Sequence, residues 1–198
     1  MGETQPIKSS SANESKAPIN FNEQDLSLAA RINALSGENL NLCLQCRMCR
    51  NGCHFSSAMD YQPHAIFRLL QYGQYKQAME CSTLWICVAC NTCSVQCPMG
   101  IDIPEIMDAV RLQALEEGAA VAEPNILEFH RTVMDSIERY GRTHKLEIML
   151  RYKNRVRDWF SDIDVGLKLM TKRKLDLRPS RVKESKEVKR LFNQAWRG

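Results

Sequence analysis

Eight of the nine cysteines in this 198-residue chain fall into two runs with one spacing, C-x2-C-x2-C-x3-C. The first is LCLQCRMCRNGC, Leu42 to Cys53, and the second is ICVACNTCSVQCP, Ile86 to Pro98. Few sequence features constrain a fold as tightly. Three thiols at x2 spacing must curl around one object, and the fourth lies too far along to close the same curl. A [4Fe–4S] cube needs four thiolates, one per iron. In two-cluster ferredoxins the fourth cysteine of each run ligates the other cluster. Applied here, that rule gives one cube to Cys43, Cys46, Cys49 and Cys97, and the other to Cys87, Cys90, Cys93 and Cys53. Two runs are then needed because each supplies the other's missing corner. Zinc is the competing metal, but its four-thiolate sites are typically two separated C-x2-C knuckles.

The surroundings of the runs agree with a reducing compartment. The N-terminal MGETQPIKSSSANESKAPIN has no apolar core of a signal peptide, and no run approaches the roughly 18 apolar residues of a membrane span. Disulfides are therefore not expected, and a cytoplasmic metal protein is. The same N-terminal stretch, residues 1–20, is polar and rich in Ser, Asn and Pro, which predicts disorder.

Between and after the cysteines the punctuation is helical. Asn22 is placed to cap a helix through Leu35, stopped by Gly37, with two candidate buried rows: Leu26, Ala29, Ala30 and Asn33, or Leu28, Ile32 and Leu35. Pro63, Pro104 and Pro124 stand where a first helical residue belongs, and Gly73, Gly118 and Gly141 where helices end. Ile106, Val110 and Leu115 mark one buried side. Ile126, Leu127, His130, Val133, Met134 and Ile137 form another apolar stripe, with His130 read as a core histidine. KLEIMLRYKNRVRDWF is again helical, and a short helix is expected near the C-terminus. Strand alternation is missing. The fold class predicted is all-α, a bundle cradling two clusters, in place of the small hairpin-based ferredoxin. The organisation predicted is a disordered segment 1–20, a cluster domain 21–120, and a helical extension 121–198 with a basic tail. The internal repeat is read as one of cysteines, not of a whole structural module.

Charge is divided unevenly. Residues 1–141 carry 10 Lys/Arg against 16 Asp/Glu, a net of −6; residues 142–198 carry 17 against 7, a net of +10. A basic tail is either a solvated helical face or a docking surface for an acidic partner. Nucleic acid is a third option, but few aromatic residues are interleaved with the charges, so no nucleic-acid partner is expected. Walker and Gly-x-Gly-x-x-Gly loops are absent, and no nucleophile has a paired base. The chain is equipped to carry electrons and not to transform a substrate, so no active site of its own is expected.

Four further residues bear on the clusters. Pro98 follows the second run and turns the chain away from its last ligand. The first run has His54 there, either a changed turn or a proton-accepting neighbour of the cube. Cys81 reads as a small buried apolar residue. Trp85 reads as packing that keeps water from the cluster, with Ile86 and Leu42 as neighbours that tune it. Arg47 and Arg50 are candidates for stabilising a reduced, more negative cube.

The paired runs and helical spacer resemble the α-helical ferredoxin domain, also found in iron–sulfur subunits of succinate dehydrogenase and fumarate reductase. The segment FHRTVMDSIERYGRTHKLEIMLRYK, Phe129 to Lys153, and the trailing LMTKRKLDLRPSRVKESKEVKRLF narrow the match. Together they resemble the C subunit of heterodisulfide reductase and its bacterial relatives, including those of sulfur oxidation. The resemblance implies two [4Fe–4S] clusters on the eight matching cysteines. It also implies a relay linking a flavin-containing A subunit to a B subunit with cysteine-rich catalytic clusters. His54 in place of a proline is the main departure. Alternative assignments are the iron–sulfur subunit of another oxidoreductase, of the succinate/fumarate or glycerol-3-phosphate dehydrogenase type, or a nucleic-acid-binding iron–sulfur protein.

Overall fold

Proline and glycine set the helix ends. Pro63 opens α3, Pro63–Gln71, following an extended Gln62. Pro104 lies in the first turn of α7, Ile103–Glu116, and Pro124 in that of α8, Pro124–Tyr140. Each fixes the backbone angle a first turn needs, where a missing N–H costs nothing. The structure, a computed structural model, describes residues 24–156 and 182–196. No strand occurs among the described residues. The expected disorder of residues 1–20, the Asn22 cap and part of the expected basic tail lie outside them.

The chain divides into two compact units between Ala122 and Glu123. In the first unit, α1 is Leu28–Ser36, α2 Met48–Asn51, α4 Tyr75–Met79, α5 Thr83–Ile86 and α6 Thr92–Val95, together with α3 and α7. A single 3-10 turn, Leu40–Leu42, leads into Cys43. Helix α7 is the spine: α1, α4, α5 and α6 all pack on it, while α3 packs on α1, α2 and α4. Leu28, Ile32, Ile66, Leu70, Met79, Leu84, Ile106 and Val110 are fully buried between them. At about 1.5–3 kcal/mol per large apolar side chain, this core is what holds the short cysteine-bearing helices in place.

Of the two rows offered for α1, the structure selects Leu28 and Ile32; Leu26 and Leu35 are exposed. The helix starts at Leu28, because the Asp25 carboxylate accepts hydrogen bonds from the Ser27 N–H at 2.9 Å and the Ser27 hydroxyl at 2.6 Å. The Asp25 N–H donates to the Gly73 carbonyl at 2.9 Å. A side chain at Gly73 would meet the Asp25 backbone 2.5 Å away, and its φ of +63° suits glycine. On α7, Leu115 is exposed, contrary to expectation, and Ala114 is the buried residue a turn after Val110. A row that steps 106, 110, 114 keeps to one face, whereas 115 turns away from it.

The second unit contains α8, α9 (Lys145–Val156) and α10 (Ser185–Trp196), with α8 packed on both others. Here the apolar stripe was a poor guide. The fully buried residues of α8 are Thr132 and Ser136, while His130 is exposed. The polar pair faces α9. Arg155 donates to Thr132 Oγ1 at 3.3 Å and pairs with Asp135 at 2.8 Å, and Ser136 Oγ donates to Glu147 at 3.2 Å. His144 caps α9, its Nδ1 accepting from the Glu147 N–H at 3.2 Å.

Candidate iron–sulfur centres

The two cysteine runs repeat in backbone as well as in sequence. Cys43 has φ −64°, ψ 114°, and Cys87 has φ −65°, ψ 114°. Gln45 and Ala89, two residues on, take φ of +58° and +51°. Arg47 and Asn91 take +66° and +61° and open the one-turn helices α2 and α6. Each turn closes with the same bonds: the Cys53 N–H donates to Arg50 O at 3.2 Å, and the Cys97 N–H to Ser94 O at 3.1 Å. The repeat is thus a structural module, which corrects the reading of it as cysteines alone.

These four are the only non-glycine residues with positive φ among the described residues. A left-handed conformation costs roughly 1–2 kcal/mol for an L-residue. Such strain persists where something else demands the shape, and it gathers at functional sites. Here it bends each run so that its three leading cysteines line one recess. The two modules face each other through α2 and α6. Gly52 and Gln96, equivalent positions, meet at this seam: a side-chain carbon on Gly52 would lie 2.1 Å from Gln96 Oε1.

Two recesses flank the seam. One is lined by Cys43, Cys46, Cys49 and Cys97, with Phe67, Ile101 and Ile103 as apolar wall. The other is lined by Cys53, Cys87, Cys90 and Cys93, with Met59, Ile103 and Met107. Exposure repeats too. Cys46 and Cys90 are exposed, Cys49 and Cys93 are buried, and the remaining four ligand candidates are intermediate. Among the described residues no three His, Cys, Asp or Glu side chains converge on a point that one metal ion could occupy. A zinc ion draws four ligands to about 2.3 Å of a single point. The thiols here instead surround a volume, which suits a polynuclear cluster.

The sulfurs have protein partners. Gln45 Nε2 lies 3.5 Å from Cys43 Sγ and donates to the His64 carbonyl at 3.0 Å. The Thr92 hydroxyl is 3.5 Å from Cys90 Sγ, and hydrogen bonding to Thr92 lowers the Cys90 pKa. Burial pushes the free thiols of Cys49 and Cys93 up to about 11 and also raises Cys87. Iron takes thiolate, so cluster insertion must expel these protons. Hydrogen bonds to sulfur and apolar walls are the two levers by which a protein sets cluster potential.

The other expected residues are placed as follows. Pro98 lines the first recess, as does Arg47. His54 and Arg50 are exposed and line neither. Trp85 is buried, Ile86 is half-buried and Leu42 exposed. Cys81 is buried, its Sγ 3.3 Å from the Ala78 carbonyl, and burial pushes its thiol up to about 12. Such a thiol stays protonated and unreactive.

Three residues were missed. His64 lines the first recess with its Nδ1 buried and without a hydrogen bond, and burial beside Arg47 and Arg50 lowers its pKa. Arg111 reaches the second run from α7, its Nη2 3.1 Å from the Cys87 carbonyl. Asp60 binds the start of α5, the helix that delivers Cys87. Its carboxylate accepts from the Ser82 N–H at 2.9 Å, the Thr83 N–H at 3.1 Å and the Thr83 hydroxyl at 2.6 Å. None stands near its partner in sequence, so no local signal announces it.

Asp60 carries a testable consequence. Burial works to raise its pKa, but the hydrogen bonds from Thr83, Ser82 and Tyr61 outweigh it, and the net shift is downward from 3.8. Asp60→Ala is expected to cost about 1–2 kcal/mol, the worth of a lost cap. The folded carboxyl titrates below the unfolded one. Its contribution is therefore complete above the unfolded value and lost as pH falls through the folded one. Anaerobic thermal melts should show a constant gap between the two proteins from pH 8 to about 5, narrowing only in more acid solution.

Residues 42–102 match the 4Fe-4S dicluster domain, which makes this a protein of the class that holds two [4Fe–4S] clusters. Similarity to curated relatives is more specific. The chain is 28% identical over 94 residues to the C subunit of the H(2):CoB-CoM heterodisulfide,ferredoxin reductase of Methanothermobacter marburgensis, covering 48% of this chain and 51% of that one. It is 31% identical over 80 residues to the iron–sulfur C subunit of the CoB–CoM heterodisulfide reductase of Methanopyrus kandleri, covering 40% and 42%. Over 98 residues it is 31% identical to a protein of Archaeoglobus profundus named as like the C subunit of heterodisulfide reductase, covering 49% and 52%. The chain spans about half the length of these relatives. Over that half it is similar to proteins named as C subunits of heterodisulfide reductases. No helix among the described residues is long and apolar enough to cross a membrane.

Proposed function

We propose that this chain is the electron-transferring C subunit of a cytoplasmic heterodisulfide reductase-like complex. Its two [4Fe–4S] clusters form a relay that links a flavin-containing A subunit to a catalytic, cysteine-rich B subunit. One cluster is held by Cys43, Cys46, Cys49 and Cys97, the other by Cys87, Cys90, Cys93 and Cys53. The observation that carries this reading is the sorting of thiols: each recess gathers three cysteines from one run and the fourth from the other. Bound there, the clusters supply one-electron storage. The protein's part is to grip them, wall off water with residues such as Phe67 and Met107, and leave Cys46 and Cys90 at the surface, where partners approach. The net charge of +10 on residues 142–198 would attract acidic partners.

The test is anaerobic purification of the chain from its native source under mild conditions. About eight iron and eight acid-labile sulfide per chain are expected, with a flavoprotein and a second cysteine-rich iron–sulfur protein in the same peak. The purified complex should be reduced through its flavin, with both clusters of this chain turning paramagnetic. Zinc in place of iron, or a lone chain that itself turns over a disulfide, would overturn the proposal.

A further inference from the structure

The two modules match so closely that their differences can be read position by position: the first run carries the exposed Arg47 and Arg50 where the second has Asn91 and Ser94, and the second has a largely buried cation behind it. Leu40 and Leu84 occupy equivalent positions, each three residues before the first cysteine of its run. Both carbonyls accept a side-chain hydrogen bond from outside the module. At Leu40 the donor is the neutral amide of Gln71, Nε2 at 3.1 Å. At Leu84 it is the guanidinium of Arg111, through Nε at 3.0 Å and also through Nη2. Nη2 goes on to the Cys87 carbonyl at 3.1 Å.

The setting of Arg111 preserves its field. Its guanidinium lies 5.8 Å from the centre of the buried Trp85 ring, and the side chain is 16% exposed. Charges shielded from solvent act more strongly than charges in water. Arg47 lines the first recess, but it and Arg50 are exposed and so more heavily screened than Arg111. Asp108 pairs with Arg111 through Nη1, on the side away from the two carbonyls, and is itself 46% exposed. Its opposing charge is the weaker of the two at the cluster.

The structure assigns Arg111 the role of raising the reduction potential of the cluster held by Cys87, Cys90, Cys93 and Cys53 above that of its neighbour. A cluster with four thiolates is net negative and gains one more negative charge on reduction. A fixed, poorly solvated cation at its edge favours that added charge, and a neutral amide does so far less. The second recess is then where an electron rests, and the first is the higher-energy stop. This inference rests on the two-cluster reading above.

EPR-monitored redox titration of the intact complex tests it, with Cys46→Ser and Cys90→Ser identifying the signal of each cluster. Arg111→Gln, which copies the donor of the other module, should lower the one-electron reduction equilibrium of the second cluster about tenfold, 59 mV, and leave the first in place. Arg111→Lys should retain most of the original value, which a purely structural role would not. Asp108→Asn leaves the carbonyl contacts intact and should raise the same potential. The inference is overturned if Arg111→Gln shifts neither cluster or both alike, or if lysine shifts as far as glutamine. Should Arg111→Gln fail to assemble, an unchanged potential in Asp108→Asn overturns it equally. Fewer than two clusters in the unaltered protein would instead defeat the two-cluster reading itself, and this inference with it.

Discussion

Cys97→Ala is expected to remove the cluster of the other run, the one gripped by Cys43, Cys46 and Cys49, and to leave the cluster of its own run bound. About half the iron should be lost. The expectation comes from the shape of the module. Its three leading cysteines curl around one recess, and a one-turn helix then carries the fourth across the seam into the other. Crossed ligation makes a prediction about pairs of substitutions that parallel ligation reverses. Cys43→Ala and Cys97→Ala should each remove the same cluster, so combining them should cost no further iron. Cys43→Ala with Cys53→Ala should remove both. Residues acting on one object are non-additive in this way. Iron and acid-labile sulfide per chain, with the EPR spectrum of the dithionite-reduced protein, read all four proteins. If Cys97→Ala instead behaves as Cys87→Ala does, each run holds its own fourth corner and the crossing is wrong. Crossing also ties the modules together, so loss of either cluster should loosen the seam at Gly52 and Gln96.

Much of the fold was legible because its signals are local. Pro63, Pro104 and Pro124 act within a single turn, and each sits where a helix begins. Gly37 and Gly141 act the same way at helix ends. The cysteine spacing is local as well, and it named the residues that line both recesses. What stayed hidden depends on partners distant in sequence. Asp60 is 23 residues from Thr83, and Arg111 is 27 from Leu84. Hydrophobic periodicity failed in α8 for a related reason. It presumes an apolar contact, whereas the α8–α9 contact is built on Thr132, Ser136 and the charges of Glu128, Asp135 and Arg155. The left-handed backbone of the runs was equally invisible, since Gln45 and Ala89 are not residues that announce positive φ.

Ala89 gives that hidden strain a measurable consequence. It has φ +51°, lines the second recess, and carries no side-chain group with which to compensate the conformation locally. Asn91, two residues on, is a type that tolerates such angles; alanine gains nothing from them. The Ala89 backbone N–H favours the Cys87 thiolate, which ties this bend to the ligand two residues before it. Ala89→Val should break this balance, because a β-branched residue with positive φ is an outlier in folded proteins. A penalty of about 1–3 kcal/mol is expected, roughly fivefold to a hundredfold in retention of the second cluster. The first cluster, whose run bends at Gln45, should be retained as before. Ala89→Gly carries no such penalty, since glycine adopts positive φ freely, and its cluster should be held at least as well as in the unaltered protein. Anaerobic iron release to a chelator compares the three proteins. Equal release rates from alanine and valine would mean that the bend at residue 89 is not under strain. Rapid loss from the glycine protein would mean that the side chain, and not the backbone, is what the cluster needs at this position.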